Sequence, residues 1–336
     1  MLLAFFIPSS NAKTVFHQCQ SSVPIIKHSP NMAPSYWATQ SRVTEPGKAA
    51  TSIDELASDL AALRAASSQL VFHYRAGDFA KHSVPVERKR EIDLRYAAAL
   101  LEVVQGRGDP SLARARQPID AVVGCCRDAT VLFLALARHK GIPARGRVGF
   151  ASYIRPGWFL DHVVAEVWDA AEGRWRLVDP EMEASFRPKV KGKAVDWLDL
   201  TDDEFITGPK AWQAAREGKA DPSRFVVAPE LELPFLRGWA YLAHNVVHDL
   251  AFVYKKEMLL WDEWGMLAVF DGDAISEDDS KVMDEISAVT YSVDVEPAGV
   301  EELMARDGLR LTPTIVSADP MGGPLRTVDI SQLLST

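Results

Sequence analysis

Three reactive side chains stand in order along the middle of the chain. Cys126 lies in Gly124-Cys125-Cys126-Arg127-Asp128, His162 follows Asp161, and Asp179 sits in Leu177-Val178-Asp179-Pro180. A thiol, an imidazole and a carboxylate can form a nucleophilic relay. The imidazole takes the thiol proton, the sulfur attacks an acyl carbon, and the carboxylate fixes the tautomer and charge of the imidazole. The chemistry this implies is acyl transfer through a thioester. A free cysteine by itself is more often a small buried hydrophobe, so the assignment depends on the elements that carry the three residues.

Residues 127–140 contain no Gly or Pro and many strong helix formers. Val131, Leu132, Phe133, Leu134 and Leu136 cover most of the circumference, which predicts a buried helix. Asp128 in the first turn and Arg138, His139 and Lys140 in the last suit the helix dipole, and Gly141 with Pro143 marks the stop. Cys126 then stands at the helix N-terminus. Unpaired N–H groups there favour a thiolate and can hold a developing oxyanion.

Two strands are expected to carry the other members. Residues 161–168 place His162, Val164, Glu166 and Trp168 on one face, and residues 175–179 place Trp175, Leu177 and Asp179 on one face. The polar, Gly-containing link at 169–174 predicts an antiparallel hairpin. Pairing Trp168 with Trp175 sets Glu166 opposite Leu177 and Val164 opposite Asp179. His162 and Asp179 become diagonal neighbours about 7–8 Å apart at the backbone, a gap their side chains can span. A slip of one residue would send them to opposite faces.

These motifs resemble a known family. Gly-x-Cys-Arg-Asp before an apolar helix, Gly141-Ile142-Pro143-Ala144-Arg145, His162 with Glu166, and Trp175-x-Leu-Val-Asp-Pro are similar to the transglutaminase-like core. That superfamily is papain-like and uses a Cys-His-Asp triad. The resemblance implies an α+β fold in which the catalytic helix packs on an antiparallel β-sheet, flanked by further N- and C-terminal helices. It selects Cys126 rather than Cys125, with His162 and Asp179. Val164 departs from the pattern, because the superfamily often has Trp there, and this bears on the shape of the acyl pocket.

Composition narrows the function classes. The 336 residues are 47% hydrophobic and 25% charged, as in ordinary globular proteins. A net charge of −9 argues against general nucleic-acid binding, and no apolar run has the length of a membrane span. Cys19, Cys125 and Cys126 make no disulfide framework, which fits a reducing, cytoplasmic setting. No zinc-finger spacing occurs.

Residues 1–50 read as a disordered tail, a transit segment directing the chain to mitochondria, or residues preceding the true start at Met32. There is no acidic residue before Glu45 and no arginine before Arg42. Residues 51–336 read as one domain, with a catalytic core at about 86–190 and an extension at about 191–336. Ser52 to Glu55 has capping-box spacing, and leucines then recur at helical intervals to Leu70. A second helix is expected from Val86 to Val104, a strand from Arg145 to Tyr153, and a long helix from Phe235 to Trp261. His244 and His248 share a helix face, but Asn245 stands where a metalloprotease needs Glu, so two partly exposed packed histidines are expected rather than a metal site. The acidic stretch 271–285 lacks EF-hand spacing and reads as a solvated loop and helix start. A short helix at 296–306 and a strand at 311–316 should end the fold. Asp249-Leu250 and Glu257-Met258-Leu259-Leu260-Trp261-Asp262-Glu263-Trp264-Gly265, with other residues of the second half, resemble a stand-alone group of transglutaminase-like proteins found in bacteria and fungi.

The expected function is a cysteine-nucleophile acyl transfer on an amide, ester or thioester of a small molecule or peptide. The acyl group then passes to water or to an amine, and a carrier-bound thioester is one donor class. No cofactor or metal is called for. Trp158 and Tyr153 are the expected substrate contacts, and with Tyr74 they are candidates for the second oxyanion donor. The competing reading is a non-catalytic binding module on the same fold.

Overall fold

The cysteine helix, Cys126–His139, is the centre of packing, and every residue from Cys126 to Arg138 is buried. The computed structural model describes residues 33–183, 185–269 and 274–335. Asp128 caps the helix start, accepting the Cys125 N–H at 3.0 Å. A Cβ on Gly124 would stand 2.7 Å from that carboxylate, so this cap requires glycine. At the other end Gly141 takes φ +73°, and the N–H groups of Gly141 and Ile142 close onto Arg138 and Ala137.

The helix packs on a five-stranded sheet. Its order is Arg174–Val178, Phe159–Asp169, Ala144–Ala151 and Phe205–Thr207, and Phe225–Val226 pairs parallel with Phe159–Asp169. The hairpin register is the expected one, with Trp168 opposite Trp175 and Glu166 opposite Leu177. Gly149 faces His162 across the sheet, and a Cβ there would come within 2.2 Å of the Ile206 carbonyl oxygen. A separate parallel pair, Val71–His73 with Val122–Gly124, delivers the chain to the cysteines.

Several expected helices are shorter or broken. The span 52–70 forms two, Ala50–Asp54 and Leu60–Ser68, because Asp59 leaves the helical path and caps the second through the Ala62 N–H at 2.9 Å. The span 86–104 forms a 3₁₀ segment, Val86–Asp93, and a helix, Ala97–Gln105. Tertiary partners draw the link out: Ala97 N–H donates to Val43, Arg326 pairs with Asp93, and Arg95 with Asp262. The helix expected over 235–261 is Gly238–Val253, stopped by Lys255 at φ +62°.

The expected tail needs correction. Residues 1–32 lie outside the described residues, but residues 33–50 are folded. Trp37 is fully buried. It meets Trp175 edge-on at 5.6 Å, sits 4.4 Å from the Arg145 guanidinium, and donates its indole N–H to Val253 at 3.0 Å. A polar composition conceals one large aromatic anchor.

The C-terminal half is bound to the sheet by buried charge. Arg147 on Ala144–Ala151 grips Asp249 of Gly238–Val253 with two bonds of 2.9 and 3.0 Å, and it also reaches Glu166 and the Thr290 carbonyl. Of the acidic stretch, Asp271 and Asp273 lie outside the described residues. The rest starts the helix Glu277–Thr290, capped by Ser276. The last expected helix is Pro297–Met304. The last expected strand, Thr314–Ser317, is the middle of a three-stranded sheet between Asp262–Glu263 and Arg326–Asp329. One hydrophobic cluster runs from Trp37 to Leu333. Among the described residues no helix is long and apolar enough to cross a membrane.

Candidate active site

Cys126, His162 and Asp179 come together, each from the element expected to carry it. Cys126 is the first residue of its helix and 6% exposed. The helix is tied to the histidine strand by Thr130, whose hydroxyl donates to the Val163 carbonyl at 3.0 Å. His162 Nε2 lies 2.9 Å from Asp179 Oδ2. Asp179 follows the end of strand Arg174–Val178 and is fully buried. Its Oδ1 accepts the backbone N–H groups of Glu181 and Met182 at 2.8 and 3.2 Å, and its Oδ2 also accepts the Tyr153 hydroxyl at 2.5 Å. Arg64 clamps the Asp179 carbonyl through Nε at 2.7 Å. The carboxylate is fully engaged, so its orientation is fixed, and the His162 proton resides on Nε2. That leaves Nδ1 to act as the base.

Glu181 joins this group. Cys126 Sγ, a ring nitrogen of His162 and a Glu181 carboxylate oxygen lie within 4.8 Å of one another. Glu181 Oε2 is 3.7 Å from His162 Nδ1, and Oε1 is 3.8 Å from His73 Nε2. His73 accepts the Arg75 and Ala76 N–H groups on Nδ1, at 3.1 and 2.9 Å, so its own proton sits on Nε2 and points to the site.

Electrostatics separate these groups. Burial favours protonated Asp179, but the charge of His162, its hydrogen bond and that of Tyr153 hold the carboxyl below its ordinary value. Burial would lower the His162 imidazole, yet Asp179, Glu181 and Asp161 outweigh it and hold the ring above its ordinary value. Burial pushes the Glu181 carboxyl up to about 7 against the pull of His162. The Cys126 thiol is pushed well up by its hydrogen bond with Cys125, by burial, and by Cys125, Glu181 and Asp161. The helix N-terminus alone pointed to a thiolate; burial and these neighbours work against it.

Of the two expected substrate contacts, Tyr153 is placed elsewhere in the site. Tyr153 is 3% exposed, and its hydroxyl is spent on Asp179, so it positions the carboxylate and does not line an open pocket. Val164 packs in the same small cluster as Tyr153, Trp197 and Phe205, where the superfamily's Trp would not find room without repacking. Trp158 lies in the turn after Arg155, and the described rings in contact with His162 are Tyr153 and Phe205. Tyr74 shares the apolar cluster of Cys126, stacked on His73 and edge-on to Trp261 at 6.4 Å. Trp261 comes from the C-terminal half, and its indole N–H is buried without an acceptor. His248 is fully buried and stacked on half-buried His244 at 4.3 Å, so the pair is less exposed than expected. Burial lowers both imidazoles. Among the described residues the grouping of three potential metal ligands is Cys126, His162 and Glu181, and the histidine pair has no third partner.

A buried thiol–imidazole–carboxylate row, with the thiol heading a helix, the imidazole on an antiparallel sheet and the carboxylate just past the end of its neighbouring strand, is a papain-like arrangement. Residues 85–180 match the model of the transglutaminase-like superfamily, and this segment has the transglutaminase-like fold. No curated protein matches the chain. A solved structure of a candidate cysteine protease from Cytophaga hutchinsonii is 18% identical over 53% of this chain and 49% of that one, with a TM-score of 0.29. The alignment thus spans about half of that protein. The matched segment and the grouping of Cys126 with His162 point to cysteine-dependent chemistry.

Proposed function

We propose that the chain is an acyl-transfer enzyme that forms a thioester on Cys126. The observation that carries this reading is the orientation of His162: Asp179 holds Nε2 at 2.9 Å, while the other ring nitrogen is left to the side of Glu181 and the thiol. His162 Nδ1 takes the Cys126 proton as sulfur attacks the acyl carbon of an amide, ester or thioester. Transfer coupled to attack suits a thiol whose proton is held, because no free thiolate has to accumulate first. The oxyanion is held by the Cys126 backbone N–H at the helix start, where no intrahelical acceptor exists. The buried, unpartnered Trp261 indole N–H is the second donor this reading assigns. The tetrahedral adduct expels its leaving group, which takes the proton back from His162. Water or an amine then attacks the thioester, His162 again serving as base, and Cys126 is released.

The substrate class proposed is a small molecule or peptide, because the nucleophile lies beneath an apolar cluster flanked by Leu260, Trp261 and Met321. The test is incubation with a nitrophenyl ester, a peptide amide and an acyl thioester, with and without a primary amine, followed by intact-mass analysis. One of them should leave an acyl group on Cys126, and Cys126→Ala should abolish both adduct and turnover while Cys125→Ala retains them. An adduct on Cys125 would overturn the assignment. No adduct, with Cys126 unreactive to iodoacetamide in folded protein, would establish the binding-module reading instead.

A further inference from the structure

We propose that Cys126, His162 and Glu181 form a site for a zinc-class divalent cation that masks the nucleophile reversibly. The site stands on geometry alone; that the ion silences catalysis rests on the function proposed above.

One sulfur, one imidazole nitrogen and one carboxylate oxygen lie within 4.8 Å of one another. Zn²⁺ accepts this mixed donor set, and three protein ligands with a free fourth position is the arrangement of catalytic zinc sites. Zn–N and Zn–O bonds of about 2.0–2.2 Å at a tetrahedral angle place the two donors roughly 3.4 Å apart. His162 Nδ1 and Glu181 Oε2 are 3.7 Å apart, close to that span. The sulfur lies within 4.8 Å of both donors, so it closes by at most about 1 Å to reach bonding distance. The outer contacts are also in place. The far nitrogen of His162 is held by Asp179, the carboxylate–histidine arrangement that orients metal-bound imidazoles. Glu181 Oε1 is buried and has no hydrogen-bond partner, while the protonated Nε2 of His73 waits 3.8 Å away to steady it.

Glu181 has no part in the relay, yet it stands mostly buried against both of its reactive members. A metal site gives it a use. Coordination releases the Cys126 proton, and any proton on Glu181 or on His162 Nδ1, to solvent; no electron changes hands. It occupies the sulfur and the Nδ1 lone pair together, so both nucleophile and base are blocked until the ion leaves.

The experiment uses the full chain after chelator treatment. Zn²⁺ is titrated against a chromophoric competitor, Co²⁺ is added for its spectrum, and iodoacetamide labelling of Cys126 is followed by mass spectrometry with and without Zn²⁺. One ion should bind per chain, Co²⁺ should give a thiolate charge-transfer band in the near-ultraviolet, and Zn²⁺ should slow Cys126 labelling by on the order of tenfold or more. Glu181→Gln should weaken Zn²⁺ about tenfold or more and still label at Cys126 without metal. The band should vanish in Cys126→Ser, which separates this site from His244 and His248. The proposal fails if Glu181→Gln binds as tightly as wild type, or if the band survives in Cys126→Ser. It also fails if micromolar Zn²⁺ leaves wild-type labelling unchanged, a measurement that needs no variant to fold. Acyl-adduct formation on metal-free protein tests the catalytic reading separately.

Discussion

The second thiol is one of several neighbours that hold the proton on the first. The Cys125 side chain and burial both favour the protonated Cys126 thiol. Cys125→Ala removes the former, so Cys126 should alkylate several-fold faster at pH 7.5, whereas His162→Ala should slow it. Equal rates in wild type and Cys125→Ala would show that burial alone sets the thiol. Glu181 makes a second prediction at this scale. Its carboxyl ordinarily titrates at 4.5 and in the folded chain near 7. Between those values the folded chain binds more protons than the unfolded one, so stability falls as pH rises, and above pH 7 the buried charge costs on the order of 3–4 kcal/mol. In metal-free protein, Glu181→Gln should therefore raise the urea midpoint over wild type at pH 8 and change it little at pH 4.5. A difference independent of pH would mean that the carboxylate is not ionising inside the fold. In the sequence Glu181 is one acid among many, two residues beyond Asp179. Only the burial that the fold imposes makes it part of the site.

At the scale of elements, the legible features are those encoded locally. Alternating faces, with Trp168 and Trp175 at matching positions, set the hairpin register, and that register places His162 beside Asp179. The apolar run after Cys126 likewise encodes its own burial. The parallel pairing of Val71–His73 with Val122–Gly124 has no local code, so His73 could not be placed at the site from sequence. The break in the span 86–104 has a related cause: propensity favours one helix, and distant charges at Asp262 and Arg326 pull the link open. A different buried ion pair explains Asp249, one of the second-half residues of the family resemblance. Asp249 takes two bonds from Arg147 and a third from the Val148 N–H at 2.8 Å, all buried. Asp249→Ala would strand the Arg147 guanidinium in the core, and breaking a buried pair in this way costs about 3–5 kcal/mol. Urea unfolding should show a loss of that order. A loss below about 1 kcal/mol would mean that water reaches the arginine.

For the whole molecule, the question is whether the extension beyond residue 190 is a module or part of the core. Trp37 bears directly on it. Its ring touches Trp175 of the catalytic sheet, its carbonyl accepts the Ala144 N–H at 3.1 Å, and its indole N–H reaches Val253 in the extension. One side chain near the start of the described residues thus joins sheet and extension, and Arg147 joins them a second time through Asp249. Chains of this length commonly unfold through intermediates, so a single transition would be informative. Tryptophan fluorescence, reporting nine indoles across the chain, and far-UV circular dichroism should give coincident urea curves. Trp37→Ala should shift both together by about 3–5 kcal/mol, the usual cost of deleting a buried aromatic. Two separated transitions, with Trp37→Ala moving only one, would make the extension an independent unit. Trp261 could then swing away from Cys126 without unfolding the triad, and opening of the site would be a domain motion rather than a local one.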